Sequence, residues 1–103
     1  KDMKARGHGD RVMMMTFSEF GRRAKENGSK GTDHGSGSQM FLVGSKVKAG
    51  VVGAHPRLDK LEDGNLPFHT DFRQVYAAIL KAWLEVAPKD VLGKEYEPAK
   101  VFA

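Results

Sequence analysis

The sequence predicts an α/β chain, and three stretches carry that expectation. They are an unbroken apolar run at residues 12–17, a second strand candidate at 39–44, and an amphipathic helix at 71–86. Short apolar runs bounded by turn residues suit strands, whereas recurrence at three and four residues suits a helix. A chain of 103 residues sets a prior of one domain. Hydrophobic residues make up 40% and charged residues 29%, the balance of a globular protein rather than a disordered one. No apolar stretch approaches the roughly 20 residues needed to span a bilayer, so no membrane partner is expected. Residues 1–11 carry no signal-peptide pattern. The absence of cysteine excludes a disulfide framework, a zinc finger and a thiol nucleophile.

The elements follow in order. Lys1 to Arg6 reads like the end of a helix, and the chain opens on lysine rather than methionine. Twelve glycines leave few apolar runs for a core, which a domain of this size can hardly spare. A fragment of a larger α/β protein, or a piece held in an oligomer, is therefore expected. Gly7-His8-Gly9-Asp10 is turn chemistry and leads into Val12-Met13-Met14-Met15-Thr16-Phe17. Such a run suits a strand buried on both faces, as in a parallel sheet. The methionines read as core packing, not as a metal site. Ser18 can cap a short helical turn through Arg22-Arg23-Ala24-Lys25, which Asn27-Gly28 ends.

Residues 28–38 are rich in glycine and serine. They read either as a flexible linker or as an ordered site loop whose glycines admit a ligand. The Asp33-His34 pair in the middle favours the site loop. Gln39-Met40-Phe41-Leu42-Val43-Gly44 is the second strand, Val51-Val52 a short third, and residues 57–66 a polar surface loop. In the 71–86 helix, Phe72, Val75, Tyr76, Ile79, Leu80, Trp83 and Leu84 form one apolar face, which reads as core. Thr70 is the expected N-cap, and Pro88 lies beyond the C-terminus. The tail has room for one more helical turn.

Candidate chemistry is sparse. Glu19 directly follows the methionine-rich strand, and ligands of open α/β sheets gather at carboxyl ends of strands. Equally, Glu19 can simply complement a helix N-terminus. His34 is the best single ligand candidate, because nearby glycines leave its imidazole accessible. Asp33 could bind a metal or orient the ring. One Asp-His dipeptide still falls short of the three or four ligands that a metal takes. His69 precedes the long helix and could close a site or cap the helix. Arg22 and Arg23 can hold an anionic oxygen bidentately, although such pairs are more often solvated. His8 and His55 lie in turns and read as solvated.

Taken together, Ser18-Glu19-Phe20-Gly21-Arg22, then Gly31-Thr32-Asp33-His34-Gly35, then Asp71-Phe72-Arg73-Gln74-Val75-Tyr76-Ala77 are familiar. In this order and spacing they resemble the C-terminal part of the family catalogued as domain of unknown function 1501. That family looks sulfatase-like and is placed with the alkaline-phosphatase superfamily. The resemblance runs from the strand at Val12 to the tail and implies a fragment of an α/β/α sandwich with metal ions at strand ends. Residues 1–103 would then be the C-terminal segment of a single alkaline-phosphatase-like domain, with 28–38 as its site loop. In phosphodiesterase-like relatives a strand ends in Ser-Asp-His-Gly, and a later histidine sits in a Gly-rich loop. Glu19 falls where that aspartate would be, and His34 where the later histidine would be. Phe20 departs from the pattern: it stands at the first histidine's position and cannot bind a metal.

The resemblance thus implies Glu19, Asp33 and His34 as metal ligands, Arg22 as an anion or outer partner, and His69 as a possible addition. Zinc suits the mixed nitrogen and oxygen donors best, with manganese, calcium and magnesium as alternatives. The parent would hydrolyse a small phosphate or sulfate ester. This segment lacks the nucleophile and would be inactive alone, partnered by the rest of its chain or by further copies. Members of the family are mostly bacterial and often exported. The first rival is a non-catalytic protein of the same fold that binds an anionic glycan or a protein, which Phe20 favours. The second rival is a nucleic-acid module, suggested by a pI near 9.5 and by Arg22-Arg23-Lys25-Lys30. Against it, the net charge is only +4 and no aromatic residues interleave with these cations.

Overall fold

The structure, a computed structural model, describes residues 1–103. It is a mixed α/β chain with two small antiparallel sheets and a few helices, divided into two compact units. One unit combines Lys1–Val12, Gly44–Gly53 and Thr70–Ala103; the other combines Met13–Val43 and Ala54–His69.

The first unit holds the helices. Helix α1 (Asp2–Ala5) fulfils the helical reading of the N-terminal stretch, and a 3-10 turn follows at Gly9–Arg11. Helix α2 (Phe72–Ala82) is capped by Asp71, not by Thr70. The Asp71 carboxylate accepts the Arg73 backbone N–H at 2.8 Å, and Gln74 Oε1 accepts the Asp71 N–H at 3.1 Å. A carboxylate beats a threonine hydroxyl here because it also meets the positive end of the helix dipole. The helix stops at Ala82, short of the expected Val86, because Glu85 turns to φ +55° and the Val86 N–H reaches back to the Leu80 carbonyl. Helix α3 (Pro88–Leu92) supplies the extra turn of the tail, started by a proline whose fixed φ suits a first helical position.

Val75, Ala77, Ala78 and Val101 form the buried core. Val101 is brought there because the Lys48 N–H donates to its carbonyl at 2.9 Å and Val47 bridges to Phe102. The α2 stripe is therefore core only in part. Val75 is enclosed and Tyr76, Ile79, Leu80 and Trp83 are half-buried, whereas Phe72 and Leu84 are each 54% exposed. The deepest burial falls on two alanines, Ala77 at 0% and Ala78 at 3% exposure.

In the second unit β1 (Met14–Met15) pairs with β4 (Leu42–Val43), and β2 (Gly21–Glu26) pairs with β3 (Thr32–Gly35). Strands thus form within both expected apolar runs, but only two residues of each are paired. Their pairing is antiparallel, which corrects the parallel, doubly buried arrangement. Met14 lies opposite Val43, and both are more than half exposed, as are Phe17 and Phe41. A two-stranded ribbon cannot cover both of its faces, so an unbroken apolar run need not be a buried one.

The helical turn expected at 22–25 is strand β2. Arginine and lysine favour helix, yet that stretch has no apolar stripe to bury, and pairing with β3 wins. The Ser18 hydroxyl caps no helix; it closes a turn, donating to the Phe20 carbonyl at 2.7 Å. Strand β3 lies inside the 28–38 segment, so that segment is part hairpin. Val51 and Val52 form no strand, and Val51 is 98% exposed.

Candidate functional site

The β2–β3 hairpin positions the candidate residues. Its turn is built by Asn27, whose Oδ1 accepts the Ser29 and Gly31 N–H groups at 3.0 and 3.1 Å. The same side chain donates from Nδ2 to Asp33 Oδ1 at 2.9 Å, tying turn to strand. Lys30 sits in that turn at φ +61°. The register then places Arg22 directly across from His34, and Gly21 across from Gly35. Residues opposite each other in an antiparallel pair project from the same face, so guanidinium and imidazole share one side of the hairpin.

Phe20 completes the group. The Ser18 turn brings its ring flat against His34, with centroids 3.6 Å apart and planes 11° apart. The Arg22 guanidinium carbon lies 5.5 Å from the Phe20 centroid, within the range of a cation–π contact. Arg22 Nη1 donates to the Thr32 carbonyl at 2.7 Å, which fixes the head group and leaves its other N–H groups open. Both Arg22 and His34 are exposed, and Phe20 is half-buried. The ion pairs Arg6–Asp2, Arg57–Asp59 and Arg73–Asp71 leave both of them out.

The remaining candidates are less convergent. Asp33 and His34 are consecutive in β3, so their side chains leave opposite faces of the strand. The Asp33 carboxylate is engaged by Asn27. Glu19 is exposed beside Phe20, and its carboxylate makes no hydrogen bond. His69 is exposed at the end of the 54–69 segment. No group of three or more His, Cys, Asp or Glu residues is arranged to hold a metal ion. His8 and His55 are exposed, as their turn positions suggested.

Sequence reasoning missed Asn27 and Gln74. Gln74 Nε2 donates to the Glu97 carbonyl at 3.1 Å, and its own carbonyl accepts the Ala99 N–H, fastening the tail to α2. The Asn-Gly pair at 27–28 was the available signal for the first. It marks hairpin turns as readily as helix ends. A separate open cleft of about 460 Å³, lined by Lys81, Glu85, Val86, Pro88, Tyr96 and Pro98, had no sequence signal at all.

The model of a family described as Protein of unknown function (DUF1501) matches residues 1–84. The chain belongs to that family. Family membership thus spans both the hairpin site and all of α2. No curated protein and no solved structure matches the chain significantly. No helix is long and apolar enough to cross a membrane.

Proposed function

We propose that this chain is the C-terminal part of a sulfatase-like protein of the alkaline-phosphatase superfamily that hydrolyses small phosphate or sulfate esters. The single observation that carries this reading is the pairing of Arg22 with His34 across β2 and β3. Two nitrogen-rich groups on one face, neither neutralised by a carboxylate, suit the oxygens of an anionic ester. Membership of DUF1501 supports the same reading. The exposed Met14, Phe17, Phe41 and Val43 support a segment completed by the rest of a larger chain or by a second copy. Residence outside the cytoplasm belongs to the same proposal.

Hydrolysis in such a protein calls for a divalent metal, zinc foremost. The residues of this chain do not by themselves fit one. Glu19, Asp33 and His34 are not gathered, and Asp33 leaves the strand on the face opposite His34. No catalytic step is therefore assigned to them, and the segment alone is inactive. The experiment is turnover of 4-nitrophenyl phosphate and 4-nitrophenyl sulfate by the full-length, metal-supplied protein. Hydrolysis of either supports the reading, and failure with both defeats it.

A second reading, binding of an anionic glycan or protein without catalysis, is favoured by one observation. Phe20 stacks on His34 where a metal site would want a further ligand. Full-length protein that binds sulfated oligosaccharide but turns over neither ester would establish it.

A further inference from the structure

The mismatch between these residues and a metal has a positive counterpart. A histidine that ligates a metal normally has its second ring nitrogen held by a carboxylate or carbonyl, and further donors converge on the same point. His34 has neither: its ring nitrogens make no hydrogen bond, and its ring lies against the face of Phe20. The group across the strand from it is a guanidinium, which repels a cation at any site the imidazole edge could reach. What the same arrangement attracts is an anion.

We infer that Arg22 and His34, with Phe20 behind the imidazole, form a metal-independent receptor for one tetrahedral oxyanion, the sulfate or phosphate group of the ester. This inference rests on the ester reading above and states how this chain grips its ligand. Each residue has a defined part. Arg22 is held by the Thr32 carbonyl through one nitrogen and keeps donors free for two anion oxygens. His34 supplies a ring N–H from the opposing strand. Phe20 stacks flat on the imidazole and fixes its plane, so that little rotational freedom is lost on binding. The Ser18 turn fixes the Phe20 backbone through its carbonyl. Asp33 does not compete, because Asn27 engages it on the opposite face.

The test is nuclear magnetic resonance of full-length protein labelled with nitrogen-15 at histidine, at fixed pH. Inorganic sulfate and inorganic phosphate should each shift the His34 ring signals saturably, in the absence of metal. Arg22→Ala should weaken that response about tenfold or more, as loss of a charged hydrogen-bonding partner implies, with Arg22→Lys between. Equimolar Mn²⁺ should leave the His34 line width unchanged. Phe20→His, by supplying a second imidazole, should introduce Mn²⁺ broadening. Selective broadening of His34 by stoichiometric Mn²⁺ in the unaltered protein would overturn the inference. So would an anion response indifferent to both Arg22 variants. Ester turnover with a His34 silent to both anions would sink this inference alone, whereas a normal His34 response without turnover would sink only the hydrolase reading.

Discussion

Gly21 and Gly37 lie backbone against backbone, and a β-carbon on Gly21 would fall on the Gly37 carbonyl. Both are buried, and no other residue of Met13–Val43 or Ala54–His69 is. Two glycines thus stand where a larger unit would place apolar side chains. Gly21→Ala should therefore destabilise the β2–β3 hairpin by about 1–3 kcal/mol, the cost of overpacking a site that cannot give. Gly28→Ala, whose added carbon meets open space, should change stability by less than about 0.5 kcal/mol. Hydrogen exchange at the Arg22 and His34 amides would read the difference.

The turn itself depends on one side chain. Asn27→Ala removes two acceptor bonds and the donor bond to Asp33. All are exposed, so the expected loss is about 1–2 kcal/mol rather than the full sum. Amide exchange at Ser29 and Gly31 should speed up, while amides of α2 keep their protection. Unchanged exchange at those two residues would show that the turn holds without its asparagine.

Within α2, position on the helix should separate two apolar substitutions. Val75→Ala, at 8% exposure, should cost about 2 kcal/mol through lost burial and the void left behind. Phe72→Ala, at 54% exposure, should cost under about 1 kcal/mol, chiefly its edge-on contact with Tyr76 at 5.3 Å. Urea denaturation of the two variants side by side is the measurement.

Acid should weaken the start of the same helix. The Arg73 guanidinium, bonded at 2.6 Å, is the main cause that holds the Asp71 carboxyl at about 2, below its usual 3.8, against a smaller opposing effect of burial. Because the folded form has the lower value, Asp71 stabilises the protein fully above its ordinary range. That contribution fades as pH falls from about 4 through about 2. The side chain is 26% exposed and its partner 44%, so solvent screening keeps the effect modest. Asp71→Asn keeps a capping oxygen but loses the ion pair. Its melting temperature should trail the unaltered protein near pH 6 and converge with it near pH 2.

The long helix was legible because its information is local: seven apolar residues at helical spacing and a clear start signal. Its cap was misplaced by one residue because Thr70 and Asp71 are both good caps, and the reciprocal bond from Gln74 selects the aspartate. The two apolar runs were legible as strands, but their direction was not. Pairing Met14 with Val43 bridges 29 positions, and no local pattern distinguishes parallel from antiparallel partners at that range. Arg22-Arg23-Ala24-Lys25 misled for the opposite reason: good local helix propensity was overridden by cross-strand pairing. Arg22 and His34 stood out singly as candidates, and Glu19 beside them makes no hydrogen bond or ion pair with either. The geometry of the site was not legible, because the Phe20–His34 stack depends on a register the sequence does not display.

The interleaving of the two units has a consequence for synthesis on the ribosome. Stretches 13–43 and 54–69 can meet once His69 has left the exit tunnel, but the only residues they bury are Gly21 and Gly37. The unit that holds the apolar core must wait for Val101 before Lys48 finds its hydrogen-bond partner. Met14 and Val43 of the β1–β4 ribbon, with Phe17 and Phe41 beside it, stay more than half exposed throughout. A nascent chain in that condition is a natural client for a chaperone that grips neutral, apolar segments.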